Sequence, residues 1–225
     1  RLQTDWIDLY QMHHVDRSTP WDEIWQAMET LVAQGKVRYV GSSNFAGWHL
    51  VQAQAAAASR HFLGLVSEQC IYNLLTRYVE LEVIPAAIQY GIGIIPWSPL
   101  HGGLLSGVLR KQREGTAGRS AEGRSSDGLA EHRDTIEAYE KLAAELGAEP
   151  SNVALAWLLS RPTIASAIIG PETIAELEEN VRAVDVQLDA AQMAELDEVG
   201  KHLPAPTFSG FQRDPMANVT PASGL

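Results

Sequence analysis

The chain has 225 residues, 45% hydrophobic and 20% charged, with a net charge of −11 at pH 7. That is enough for one sizeable core, and the acidity argues against nucleic acid or an acidic membrane surface as the main partner. The one cysteine, Cys70, excludes an internal disulfide and suits a reducing, cytoplasmic setting. No apolar stretch nears the roughly 20 residues that cross a bilayer, and the first five residues lack the apolar core of a signal peptide.

The run Trp6-Ile7-Asp8-Leu9-Tyr10-Gln11-Met12 reads as a buried parallel strand. A helix follows over 20–34, with Thr19 as cap, Pro20 at the first helical position and Gly35 past the end. Its apolar stripe is Ile24, Trp25, Met28, Leu31 and Val32. A second strand is expected at 37–40 with a helix over 47–59, and a third at 63–66, reaching toward Gln69, with a helix near 78–90. The fourth strand is Ile92-Gly93-Ile94-Ile95-Pro96. The Gly-, Ser- and Arg-rich stretch over 101–132 reads as a long loop, and loops of that length are usually functional. Helices are then predicted at 133–146, ended by Gly147, and at 151–160, capped by Ser151 and stopped by Pro162. A fifth strand is expected at 164–169, followed by a Thr173–Glu176 capping box and a last helix capped by Asp189. The tail from about 201 reads as a flap or plain disorder.

Alternating strands and helices mean a parallel α/β sheet. No Gly-rich loop follows any strand in the dinucleotide pattern, so a β/α barrel is preferred to an open doubly wound sheet. One domain is expected across 1–225. Each predicted strand ends in polar or aromatic residues: His13, then Ser43 and Asn44, then Glu68 and Gln69, then Trp97 and Ser98, then Gly170. In a parallel barrel, functional groups gather at those carboxyl ends.

Several segments resemble the aldo-keto reductase family, in the order and spacing of that family. They are Thr4-Asp5-Trp6-Ile7-Asp8-Leu9-Tyr10-Gln11-Met12-His13, Gly41-Ser42-Ser43-Asn44-Phe45, and Gln69-Cys70-Ile71-Tyr72-Asn73-Leu74-Leu75. Pro96-Trp97-Ser98-Pro99-Leu100, with Gly103-Leu104-Leu105-Ser106-Gly107, is closest to the branch that holds potassium-channel β subunits and bacterial reductases. The resemblance implies an eight-stranded β/α barrel of which only about strands 4–8 are present, matching the family's C-terminal two-thirds. It implies reduction of aldehydes or ketones by hydride from a nicotinamide cofactor, with a small carbonyl compound as substrate, no metal, and a homo-oligomer left open.

By the same resemblance His13 orients the substrate carbonyl, and Ser43, Asn44 and Gln69 hold the nicotinamide carboxamide. An amide needs donors and acceptors without added charge, which these residues supply. Trp97 stacks on the ring; Ser98, Pro99, Leu100 and Gly102 run along the pyrophosphate; Gly170, Glu179 and Asn180 frame the adenosine. The expected cofactor is NADP(H). Glu172 and Glu176 place carboxylates near a 2′-phosphate, and Val108 stands where channel β subunits carry lysine, so NAD(H) use is the alternative. Arg110, Lys111 and Arg113 are the cations available to compensate. His14 should face away from His13 and Tyr10 out of phase with the mouth by strand alternation, while Tyr72 falls near the rim.

The family's catalytic aspartate, tyrosine and lysine come from the first three β/α units. At roughly 30 residues per unit, about 90 or more residues have no counterpart here. The chain alone is therefore expected to be inactive. A nucleotide-sensing subunit and an inactive fragment are the rival readings.

Overall fold

The computed structural model describes residues 3–115 and 124–200, with side chains except at 124–127. The expectations for 116–123 and for the tail beyond 200 lie outside the described residues. Contacts divide the chain into two units, the first formed by described residues 3–70 and 78–95, the second by 71–77 and 96–200.

The first unit is built on a four-stranded parallel sheet in the order β1-β2-β3-β4. Its strands are β1 (Ile7–Met12), β2 (Val37–Ser43), β3 (Leu65–Gln69) and β4 (Gly93–Ile94). Register places Gln11, Gly41, Ser67 and Gly93 in one row, and Ser42, Glu68 and Ile94 in the next. Rows one residue apart face opposite sides of a sheet. A Cβ on Gly41 would clash with Ser67 Oγ and crowd Gln11, so a larger residue there would displace the side chains of the first row. β2 runs three residues beyond the expected strand, because Gly41, Ser42 and Ser43 stay paired with β3. β4 is shorter than expected, and Pro96 just beyond it has no N–H to offer a ladder.

Three helices, α1 (Trp21–Ala33), α2 (Gly47–Ser59) and α3 (Val83–Tyr90), pack within this unit. Only Trp25 of the α1 stripe is fully buried; its indole N–H donates to Ala53 O at 2.9 Å and its ring lies 5.5 Å from that of Phe62. Pro20, not Thr19, occupies the cap of α1. The Thr19 hydroxyl donates instead to Asp16 Oδ2 at 2.6 Å, since that nearby carboxylate is the stronger acceptor. The helix expected near 78–90 is a short 3₁₀ turn at Tyr78–Glu80 followed by α3.

The second unit is mostly helical, with α4 (Val108–Glu114), α5 (Arg124–Glu145), α6 (Pro150–Leu159), α7 (Ile174–Val181) and α8 (Ala190–Val199). All residues from Pro150 to Leu158 are buried, which makes α6 its centre. Trp157, inaccessible to solvent, donates its indole N–H to Asp197 Oδ1 at 2.9 Å and meets Tyr72 edge-on at 5.6 Å. The guanidiniums of Arg77 and Arg161 lie 5.3 and 5.0 Å from its ring, and both pair with Asp197.

Three expectations need correction here. The stretch over 101–132 is not structureless: it holds a 3₁₀ turn at His101–Gly103, α4 and the start of α5, which kinks at His132. Buried Leu104, Leu105, Val108 and Leu109 give it a core, and Glu140 accepts the α4 N–H groups of Leu109 and Arg110. The fifth strand is reduced to isolated bridging, Ile168 to Trp97, with Ile168 N donating to Pro96 O at 2.8 Å. Ser151 does not cap α6; Glu149 holds the cap position and Pro150 the first turn, where its missing N–H is not needed. The Thr173–Glu176 capping box and the Asp189 cap form as expected, and Gln192 completes a second box with Asp189. Among the described residues no helix is long and apolar enough to cross a membrane.

Candidate functional site

In the first unit, three adjacent parallel strands end side by side and bring His13, Ser43, Asn44 and Gln69 together. The Asn44 amide donates to His13 O at 3.2 Å and to Ser43 Oγ at 2.9 Å. Ser43 Oγ in turn donates to Gln69 O at 3.0 Å, and the Asn44 N–H to the same carbonyl at 2.9 Å. Asn44 adopts φ +59°, a left-handed conformation that non-glycine residues reach at about 1–2 kcal/mol and keep only when their surroundings impose it.

Two residues without an assigned role complete this group. Gln11, on the same face of the sheet as Ser43 and Gln69, accepts from the Gln69 amide at 2.7 Å and donates to Ser67 Oγ at 3.3 Å. On the opposite face lies Glu68, fully buried, with Oε2 accepting from Ser42 Oγ at 2.5 Å and Oε1 from Phe45 N at 3.0 Å. Burial pushes its carboxyl up to about 7, against the pull of the donors from Ser42, Phe45 and Asn44. A carboxylate inside a predicted buried strand segment was the available signal. Its partners, 23 and 26 residues away, are not marked in the sequence.

His13 is exposed just past β1, and its ring lies 4.2 Å from that of His14. The expectation that His14 faces away is therefore wrong: β1 ends at Met12, and alternation does not extend into the bend that follows.

The second unit holds the remaining candidates. Trp97, half-buried, forms isolated parallel bridges to Ile71 and Ile168. Ser98 has φ +53° and its carbonyl accepts from the buried Asn73 amide at 2.9 Å; Asn73 Oδ1 accepts from Leu75 N and Thr76 N. Pro99 is buried and Leu100 half-buried. Backbone donors expected along a pyrophosphate are already engaged within the turn: Gly102 N on Ser98 Oγ, His101 N on Ser98 O, Gly103 N on Leu100 O. Gly102 itself serves at φ +64°, where a side chain would be strained. In the same turn His101, beside Thr76 Oγ1 at 3.2 Å, is held below the usual imidazole range by burial and by His132.

Gly170 is exposed. Glu176 Oε2 accepts from Glu172 N at 2.6 Å and Thr173 N at 3.3 Å, so this carboxylate is engaged by the amino end of α7. Glu179 accepts from the Asn152 amide at 2.8 Å and from Arg182 at 3.1 Å, with Asn180 next to it on α7. Of the cations proposed to compensate near a 2′-phosphate, Arg110 is fixed to both oxygens of Glu149, and Lys111 donates to Ser106 Oγ at 3.2 Å. Val108 is buried. Tyr72 is a core residue against Trp157, which corrects its placement near a rim.

The first unit's geometry offers neutral donors and acceptors at strand ends. The sequence is 52% identical over 199 residues to YrpG of Bacillus subtilis, described as an uncharacterized oxidoreductase, covering 88% of this chain and 60% of that protein. It is 35% identical over 202 residues to the versiconal hemiacetal acetate reductase of Aspergillus parasiticus, covering 88% and 58%. A Schizosaccharomyces pombe protein described as a putative voltage-gated potassium channel subunit beta is 31% identical over 209 residues, covering 88% and 60%. The chain thus spans about 60% of the length of these relatives. The aldo/keto reductase family profile matches residues 1–201, and the chain belongs to the aldo/keto reductase family.

Proposed function

We propose that this chain carries the nicotinamide-gripping part of an NAD(P)H-dependent oxidoreductase that reduces aldehydes or ketones to alcohols. The observation that supports it is the convergence of Ser43, Asn44 and Gln69 at the ends of two neighbouring strands, β2 and β3, tied to one another by hydrogen bonds. Such a group satisfies an amide ligand without placing a charge beside it. The cofactor supplies the hydride when bound; the protein supplies orientation. Ser43, Asn44 and Gln69 would hold the carboxamide, Trp97 would stack on the ring, and Ser98, Pro99, Leu100 and Gly102 would border the pyrophosphate. Gly170, Glu179 and Asn180 would frame the adenosine, and exposed His13 would orient the carbonyl of the substrate.

NADP(H) is the cofactor expected of the family, but two features favour tolerance of NAD(H). Glu172 and Glu176 sit at the amino end of α7, and Arg110 is already paired with Glu149. A phosphate there meets those carboxylates, with Arg113 of α4 the remaining cation of the three named to compensate. The chain spans about 60% of the length of the relatives it matches, so binding rather than turnover is the first test. Titrating the chain with NADPH and NADH, and following nicotinamide fluorescence, should show binding of both within about tenfold of each other, a difference of about 1.4 kcal/mol. Binding of neither, by a folded chain, would contradict the proposal.

A second reading, nucleotide sensing, draws on the relatives described as channel beta subunits. Aldehyde-dependent oxidation of NADPH, when the remaining family segment is supplied, separates the two. Catalysis predicts turnover that falls on substitution of His13 by Ala; sensing predicts none.

A further inference from the structure

Glu68 is the most unusual residue of the first unit. It sits on the middle strand β3, fully buried, with no cation among its described partners, and its two oxygens take donors from two different places on the neighbouring chain. Ser42 Oγ, one row across in β2, donates to one oxygen; Phe45 N, in the link from β2 to α2, donates to the other. Between those anchors lie Ser43 and Asn44. Glu68 faces away from the row of Gln11, Ser43 and Gln69, so it cannot touch a ligand held there.

The start of α2 explains why a carboxyl is placed here. Ala46 occupies its cap and has no side-chain acceptor, the first turn carries no acidic residue, and only His49 Nδ1 reaches back, to Ala46 N at 3.3 Å. Helix amino ends favour a nearby acceptor. Glu68 supplies one from the adjacent strand, at the N–H just ahead of the cap. The same contact fixes the link on the far side of Asn44, while His13 O and Ser43 Oγ hold its side chain.

We propose that Glu68 is the positioning residue of this site: its two carboxyl oxygens seat the Ser43–Asn44 turn, so that the nicotinamide amide meets Asn44 already in its left-handed conformation. This rests on the nicotinamide reading above. The requirement is for acceptors at two defined points, not for charge. Glu68→Gln meets it, because its carbonyl oxygen can accept from Phe45 N while its amide donates to the Ser42 hydroxyl, which accepts as readily as it donates. Glu68→Leu removes both acceptors at similar volume.

The test has two arms. In the ligand-free chain, amide hydrogen exchange at Asn44 and Phe45 should quicken by roughly tenfold or more in Glu68→Leu, as one lost hydrogen bond implies, and stay near wild type in Glu68→Gln. In binding, Glu68→Leu should lose roughly tenfold in NADPH affinity yet keep its affinity for 2′-phospho-ADP-ribose, which lacks the nicotinamide; Glu68→Gln should keep both. If Glu68→Leu does not fold, Ser42→Ala, which removes one of the two anchors, should show the same pattern more weakly. Unchanged exchange at Asn44 and Phe45 overturns the proposal whatever the cofactor. Equal loss of both ligands overturns it too, since that marks a purely structural role. Quickened exchange in Glu68→Leu, together with a wild-type chain that binds NADPH no more tightly than 2′-phospho-ADP-ribose, would support the seating of the turn and defeat the nicotinamide reading.

Discussion

The two units hold their candidate residues by different means. In the first, the positions of Ser43, Gln69 and Gln11 follow from strand register, because β1 pairs with β2 up to Ser42 and β2 pairs with β3 from Gly41 to Ser43, past a register shift between Val40 and Gly41. In the second, Trp97 joins its neighbours through isolated bridges, and individual side chains secure the backbone: Asn73 on Ser98, Glu140 on the start of α4, Arg77 on Asp197. A ladder distributes its loss over many bonds, whereas a side-chain fastening fails when one residue is removed. Substitutions at fastening points in the second unit should therefore act locally and strongly.

The largest effect is expected at Trp157. Replacement by Ala removes a fully buried indole with its bond to Asp197, and should lower stability by about 4 kcal/mol, read as a shift of the urea midpoint. Exchange should quicken first in α6 and α8; loss of protection in β2 and β3 of equal size would break the contrast between the units.

Next comes the pH dependence of Glu68. Its carboxyl rises from the ordinary 4.5 to about 7 on folding, so between those values the folded state holds the extra proton. Stability should fall as pH rises through that window and level off above it, by on the order of 3 kcal/mol at most. Glu68→Gln should flatten this slope, and denaturation curves at pH 5 and pH 8 would show whether it does.

Asn73 follows. Replacement by Ala leaves Leu75 N without its partner and takes one of two bonds from Thr76 N and from Ser98 O, at a cost of about 2 kcal/mol, and should weaken cofactor binding through the Ser98 turn. A stable variant with unaltered binding would show that the Ser98 turn is held by its own backbone bonds. The smallest effect belongs to Thr173→Ala, which removes the cap of α7 and should cost about 1 kcal/mol, seen as fraying of that helix.

What the sequence disclosed follows the same division. The α2 span of 47–59 agrees with the helix observed, and β1, the Thr173 box and the Asp189 cap were readable because each depends on residues a few positions apart. The gathering of His13, Ser43, Asn44 and Gln69 follows from consecutive strands running parallel, and so was readable too. Glu68 and Asn73 were not, since each acts on backbone more than 20 residues away and a polar residue does not state its partner. The apolar run at 164–169 looked like a strand on composition alone. A strand also needs a neighbour able to pair along its length, and the chain beside it turns away after Pro96.

The most direct measurement is the side-chain amide spectrum of the chain, labelled with nitrogen-15, during titration with NADPH. The Asn44 and Gln69 amide signals should shift together, along one saturation curve, and 2′-phospho-ADP-ribose should leave both in place. Saturation of the chain with NADPH while those two signals stay unmoved would contradict the account.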